Sequence, residues 1–351
     1  MDVLLSIQHP AHVHFFRHAI DELRVRGHDA HVFVRDKSII RELLDTYGIE
    51  YTVLVDESGS VSSLPVTQLS YEWRLLRAAR RIGPDVVAGV GGVSACHVAT
   101  LVGARGIAFT DTEHATLSNR LAFPFADEIC TPECYREAIG PKQYRYPGQH
   151  ELAYLHPDRF TPDPSVLDEV GVDEDDTVVV FRLVDWSASH DVGNGGFGDV
   201  RDAIEELEAA GATVLVTSEA PLPERIEDRR ATVAPHRMHD LLARADLFVG
   251  EGATMAAESA VLGTPALYVN SLETGLTDEL DREYGLLYRF HGENRQIGAL
   301  RKAVSLLKAD DPPDWERRRD RLLEEKCDTT DVIVDRLLAS ERAVGRTEGI
   351  A

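Results

Sequence analysis

The sequence predicts an α/β protein of two doubly wound, Rossmann-like domains facing each other across a cleft. Three observations predict it. Short apolar runs alternate with amphipathic helical stretches from the first residues, the pattern of parallel strands covered by helices on both faces. The alternation breaks around 141–165, where Pro141, Pro147, Pro157, Pro162 and Pro164 cluster, and then resumes. The chain has 351 residues, enough for two domains of ordinary size.

The elements follow in order. Val3–Ile7 is an apolar strand, and Val13 to Arg26 is a helix with Phe16, Ile20 and Leu23 on one face, ended by Gly27. Ala30–Val34 is a strand, Ser38–Tyr47 a helix that Gly48 caps, and Tyr51–Val55 a strand. Residues 57–65, rich in Ser, Gly and Val, read as a loop. Tyr71–Ile82 is a helix, and the strand Asp85–Val90 opens on Gly91-Gly92-Val93-Ser94 and a helix to Val102. Ile107–Thr110 is the next strand. The first domain is expected over 1–150 and the second over 151–312. In the second, Thr177–Arg182, Thr213–Thr217, Ala245–Val249 and Ala266–Val269 are strands, with helices at Val200–Ala210 and ending at Asp240–Ala245. The charged stretch from Trp315 to Arg342 is helical.

Bulk properties bound the function. The net charge is -23, and only five of the 37 basic residues are lysines. A dispersed carboxylate surface suits a high-salt cytoplasm, where screening removes self-repulsion, so a halophilic source is expected. No basic patch is evident in the sequence, which argues against a nucleic-acid partner. No apolar run is long enough to span a bilayer and the N-terminus lacks a basic leader, so the expected location is cytoplasmic. Peripheral membrane contact and a homodimer stay open. Cys130 and Cys134 have no second Cys or His pair, so no metal site is expected and the cysteines read as reduced thiols.

The most informative stretch is Gly250-Glu251-Gly252-Ala253-Thr254-Met255-Ala256-Ala257-Glu258, followed by Gly263-Thr264-Pro265. Small residues after a strand admit a ligand close to the backbone. A helix start offers unpaired N–H groups and partial positive charge to a phosphate. Thr254 and Glu258, four apart, share a helical face, and a carboxylate there is placed to take ribose hydroxyls. The plainer alternative makes Thr254 an N-cap and Glu258 a solvated residue.

Other polar clusters follow strands. Gln8-His9-Pro10-Ala11-His12-Val13-His14 brings three histidines to the end of the first strand, with proton abstraction, a metal or simple packing as the readings. Thr110-Asp111-Thr112-Glu113-His114 gathers two carboxylates and an imidazole, an arrangement that separates pKa values into acid and base; the alternative has Asp111 or Thr112 capping a helix that begins at Ala115. After the second domain's first strand come Arg182, whose fork matches two phosphate oxygens, and His190.

The segment Ala234 to Val269 resembles the donor-nucleotide segment of GT-B-fold glycosyltransferases, above all the murein N-acetylglucosaminyltransferase, and of the UDP-N-acetylglucosamine 2-epimerases. That resemblance implies small residues at the diphosphate (Gly252, Ala253, Thr254), ribose at Glu258, and Arg237 and Met238 beside the base. It also matches His12 to a histidine of that transferase's first loop, although the glycines that precede it there are missing, and implies that a terminal helix, 313–345, crosses back onto the first domain. Over nearly the whole chain the sequence resembles the DUF354 family through Pro-Ala-His-Val-His-Phe-Phe (10–16), Thr-Asp-Thr-Glu-His-Ala (110–115), Phe-Arg-Leu-Val-Asp-Trp-Ser-Ala-Ser-His-Asp (181–191) and the 252–258 motif.

The expected function is metal-independent transfer of a sugar from a nucleotide-sugar donor to an acceptor, a glycan or lipid carrier, with no cofactor beyond the donor. His12, Asp111, Glu113 and His114 are the expected catalytic residues. Arg182, His190, Met238, Gly252, Ala253, Thr254 and Glu258 are the expected nucleotide-sugar contacts. A UDP-GlcNAc 2-epimerase and a non-catalytic nucleotide-sugar binder are the alternatives.

Overall fold

A computed structural model describes residues 1–55, 64–183, 200–218 and 221–339. The strands and helices run β1 (Asp2–Ile7), α1 (Pro10–Val25), β2 (Asp29–Arg35), α2 (Ser38–Thr46), β3 (Tyr51–Val55), α3 (Leu64–Ile82), β4 (Val86–Val90), α4 (Val93–Val102), β5 (Arg105–Phe109), α5 (Thr116–Ala122), β6 (Glu128–Pro132), β7 (Gln143–Tyr146) and α6 (Leu152–Leu155). They continue with α7 (Val166–Val170), β8 (Thr177–Leu183), α8 (Val200–Ala209), β9 (Ala212–Ser218), α9 (Met238–Arg244), β10 (Leu247–Gly250), α10 (Ala253–Leu262), β11 (Ala266–Val269), α11 (Gly275–Glu279), β12 (Leu287–Phe290), α12 (Arg295–Leu307), α13 (Trp315–Glu325) and α14 (Thr329–Leu337).

Two compact units result. Met1–Arg159 joins the chain from Lys326 onward, and Phe160–Glu325 forms the other. The first division falls inside the proline-bearing stretch 141–165. Unit 1 holds a seven-stranded sheet in the order β3-β2-β1-β4-β5-β6-β7, and unit 2 a five-stranded sheet in the order β12-β11-β10-β8-β9. Every named pairing is parallel. This is the expected α/β fold with two doubly wound sheets. Val3, Leu4, Leu5 and Ile7 of β1 are fully buried, as a strand covered on both faces requires. The strand order reverses between β1 and β4 in unit 1 and between β8 and β10 in unit 2. Ligands of open α/β sheets bind beyond the carboxyl ends of strands at such switch points.

Several elements differ from the expectation, which did not include β6 or β12. α3 begins at Leu64, seven residues earlier than expected, because Pro65 falls in the first turn, where its missing N–H costs nothing. The edge strand β7 is short and polar, so alternation alone does not reveal it. The stretch from Trp315 is two helices: Asp328 caps a new one by accepting from the Thr330 amide at 2.8 Å. α13 stays in unit 2 while α14 packs on α1 and α6 of unit 1. α14 buries Ile333, Val334 and Leu337, and its Thr329 and Thr330 hydroxyls each donate at 2.7 Å, to the Gln149 and Ala153 carbonyls. Among the described residues no helix is long and apolar enough to cross a membrane.

Candidate functional site

Each unit carries a polar cluster at the carboxyl ends of its strands. In unit 1, His9 caps α1, its ring accepting from the Ala11 amide at 3.2 Å, with Pro10 in the first turn. His14 is a packing residue, buried against Tyr154 with its ring 3.3 Å from the Tyr47 hydroxyl. His12 is half-buried, and its Nδ1 accepts from the Gln8 amide at 3.4 Å. That contact puts the proton of the neutral ring on Nε2. Burial, with the charges of His9, His150 and Lys37, pushes the His12 pKa down to about 3. At neutral pH it is therefore a donor through Nε2–H and a weak base.

The loop after β5 separates its residues. Asp111 accepts from the Thr112 hydroxyl at 2.8 Å and lies 3.4 Å from Nδ1 of His150. Glu113 is buried and accepts the Arg136 amide at 3.1 Å, and Asn119 donates to the carbonyls of Thr112 and Glu113 at 3.2 and 3.5 Å. Glu113 thus fastens the loop. The His114 side chain is exposed. Ala115 occupies the N-cap of α5 with no side-chain bond, so neither Asp111 nor Thr112 caps that helix.

The sequence reading missed His150. Only 8 % exposed, it packs its ring 4.5 Å from that of Phe15. Its Nε2 is buried and makes no hydrogen bond among the described residues. With Nδ1–H directed at Asp111, Nε2 carries the lone pair. Burial lowers the His150 pKa and Asp111 opposes the shift. The Tyr146 hydroxyl is also buried without a hydrogen bond among the described residues; burial and the Asp111 charge hold it well above its ordinary pKa. Nothing local in the sequence marks His150, since it comes to Asp111 from beyond β7.

In unit 2, β10 delivers the chain to Gly252, the N-cap of α10, where no side chain caps the helix. Thr254 is exposed and is not the cap, and Ala253 is half-buried. The amides of the first turn have no intrahelical acceptor. Arg182, next to last in β8, pairs in register with Gly250. A Cβ on Gly250 would meet Phe248 Cζ at 2.7 Å and Arg182 Cβ at 2.8 Å, so only glycine lets these two strands end side by side. Glu258 is 5 % exposed, and its Oε1 lies 3.0 Å from Nε2 of His239, which is 3 % exposed. The carboxylate is thus held inside the unit instead of solvated. His239, on α9, is a second residue the sequence reading missed.

Arg237 is committed elsewhere. It reaches Asp163 at 2.9 Å, Glu169 at 3.1 Å, Asp240 at 2.8 Å and the Ser165 hydroxyl at 2.8 Å, which makes it a clamp between α7 and α9. Met238 begins α9 half-buried. His190 lies outside the described residues. Among the described residues no group of His, Cys, Asp and Glu is arranged to hold a metal ion.

Comparisons place this geometry among known proteins. The model of a family described as "Protein of unknown function (DUF354)" matches residues 1–340. An uncharacterised protein of Methanocaldococcus jannaschii is 23 % identical over 279 residues, covering 76 % of this chain and 81 % of the relative. A UDP-GlcNAc 2-epimerase from Neisseria meningitidis, solved bound to UDP-GlcNAc, superposes with a TM-score of 0.69 at 11 % identity, covering 97 % of this chain and 100 % of that one. The spinosyn forosaminyltransferase SpnP gives 0.64 at 16 % identity, covering 97 % and 99 %. At these identities the likeness shows the fold, which is that of GT-B glycosyltransferases and 2-epimerases.

Proposed function

The chain belongs to the DUF354 family, and we propose that it transfers a sugar from a nucleotide-sugar donor to an acceptor hydroxyl. One observation carries this reading: a buried carboxylate, Glu258, sits one turn inside a helix whose uncapped first-turn amides open beside Arg182 at the switch point of unit 2. The amides of 253–255 and the Arg182 guanidinium take the diphosphate. Glu258, oriented by His239, takes the ribose. No metal is required, because the helix terminus and the arginine neutralise the charge that develops on the leaving group.

In the transfer the acceptor oxygen attacks the anomeric carbon, the bond from that carbon to the diphosphate oxygen breaks, and the hydroxyl proton passes to a base. His150 Nε2, oriented by Asp111, is the base. His12 serves as a neutral donor through Nε2–H, since burial and the surrounding positive charges all lower its pKa, whereas Asp111 opposes the lowering at His150. The Asp111–His150 pair also supports the second reading, a 2-epimerase, in which the same nitrogen abstracts a proton from the sugar.

A thermal-shift screen of nucleoside diphosphates and nucleotide sugars tests the binding step, since a ligand of the native state raises its melting temperature with the logarithm of concentration. The expected result is a rise with one nucleotide sugar and with its free diphosphate, weakened about tenfold in affinity by Glu258→Gln, the loss of about one charged hydrogen bond. No response across the panel overturns the proposal. Incubation with the bound sugar alone then separates the readings: epimerised product without acceptor favours the second.

A further inference from the structure

We infer that the α3–α4–α5 face of unit 1 docks on an anionic lipid bilayer surface. Most of the large apolar side chains exposed in the described residues lie on this one face. Val66, Leu69 and Trp73 of α3 are 69, 69 and 58 % exposed; Leu101 ends the exposed side of α4, and Leu117 and Leu121 of α5 precede Phe125. The helices pack in the order α3, α4, α5. Steps of three and four residues place Val66, Leu69, Trp73, Arg77 and Arg80 in a single row along α3, so the apolar half of the row runs directly into a cationic half. The opposite side of α3 is buried through Tyr71, Leu75, Leu76, Ala78 and Ala79. The row is therefore surplus to folding.

Charge selects the occupant. The chain carries -23 overall, yet α3, α4 and α5 contain one acidic residue, Glu72, which is paired with His97 at 2.9 Å. Arg77, Arg80, Arg81 and Arg120 are exposed on these helices. Lys142, one of the five lysines, reaches the carbonyls of Pro124 and Ala126 on either side of Phe125. The dispersed acid of the sequence conceals this local basic patch. A second copy meeting the face by two-fold symmetry would set arginine against arginine. A nucleic acid would take the arginines and leave the aliphatic row in water. An anionic interface takes both: Trp73 and the leucines enter the headgroup region while the arginines meet phosphates.

Flotation of the full chain with vesicles tests this, using phosphatidylcholine containing phosphatidylglycerol against phosphatidylcholine alone, at the lowest salt at which a thermal melt shows the protein folded. The expected result is capture by the anionic vesicles only. Arg77→Glu with Arg80→Glu should weaken capture about tenfold or more, and Leu69→Ser with Trp73→Ser should abolish it while both variants melt as the parent does. Capture unchanged in folded variants, or absent altogether, overturns the inference. So does a dimer in light scattering that Trp73→Ser dissociates, or binding to single-stranded nucleic acid with none to vesicles.

Discussion

Glu258 and His239 show how a single contact changes the meaning of a motif. A carboxylate in the second turn of a helix reads equally well as a solvated side chain or a ligand holder, and the deciding partner lies on another helix, nineteen positions back. Glu258→Gln keeps the shape and a hydrogen bond to His239, so it should melt close to the parent while losing nucleotide affinity. His239→Ala leaves a buried carboxylate short of a partner and should lower unfolding free energy by about 1–3 kcal/mol in chemical denaturation. A wild-type melt for His239→Ala would show the pair to be dispensable. The histidines make a pH prediction of definite sign. Burial lowers the pKa of His12 to about 3 and that of His18 to about 4, both below the ordinary 6.5. The unfolded chain then binds more protons than the native one, so their contribution to stability is present above about pH 6.5 and lost as pH falls toward 4 and then 3. The melting temperature should fall across that window and fall less in His12→Gln. Of the site, the sequence exposed what is local: Gly252 to Glu258, Asp111 and the His12 loop can be read from strand ends. His150 and His239 could not be, because each reaches its carboxylate through tertiary structure.

The ends of β8 and β10 are where backbone geometry and chemistry meet. Gly250 has no room for a methyl group between Phe248 and Arg182. Gly250→Ala should cost about 1–3 kcal/mol through overpacking and should displace Arg182, so that nucleotide affinity falls together with stability. A variant that loses stability yet binds nucleotide as the parent would separate Arg182 from the diphosphate. The docking of α14 supplies a comparable case in unit 1. Thr330→Val keeps the volume but leaves the Ala153 carbonyl without its donor, at a cost of about 1–3 kcal/mol read from denaturant unfolding. Most of the central strands could be read from the sequence because they are continuous apolar runs, as parallel strands covered by helices must be. β6, β7 and β12 are four or five residues long and lie toward the sheet edges, where that signal fails. The expected single terminal helix hides a break because Cys327-Asp328 carries no proline or glycine; the cap formed by Asp328 is visible only with its acceptor contact in place.

At the scale of the whole molecule the dominant quantity is a net charge of -23, and its effect on stability depends on two opposed consequences of salt. Added salt weakens exposed ion pairs such as Arg26–Glu22 and Arg201–Glu205, each worth about 0.3–0.5 kcal/mol at most. It also removes the mutual repulsion of the uncompensated carboxylates as the Debye length shrinks from about 10 Å at 0.1 M to about 3 Å at 1 M. Other pairs are better shielded from salt: Arg237 with Asp240 at the start of α9, and Arg289 of β12 with Asp278 and Asp281, have their guanidinium groups mostly buried. With 60 acidic residues against 37 basic ones, many carboxylates have no cation to pair with. Repulsion relieved should therefore outweigh pairing lost, and the melting temperature should climb as potassium chloride rises from about 0.1 M to about 1 M. Potassium chloride is the appropriate salt for this measurement, because sulfate would raise stability through exclusion from apolar surface and leave the charge argument untested. A melting temperature that stays level or drops over that range would mean that paired charges, not repelling ones, control the stability of this acidic surface.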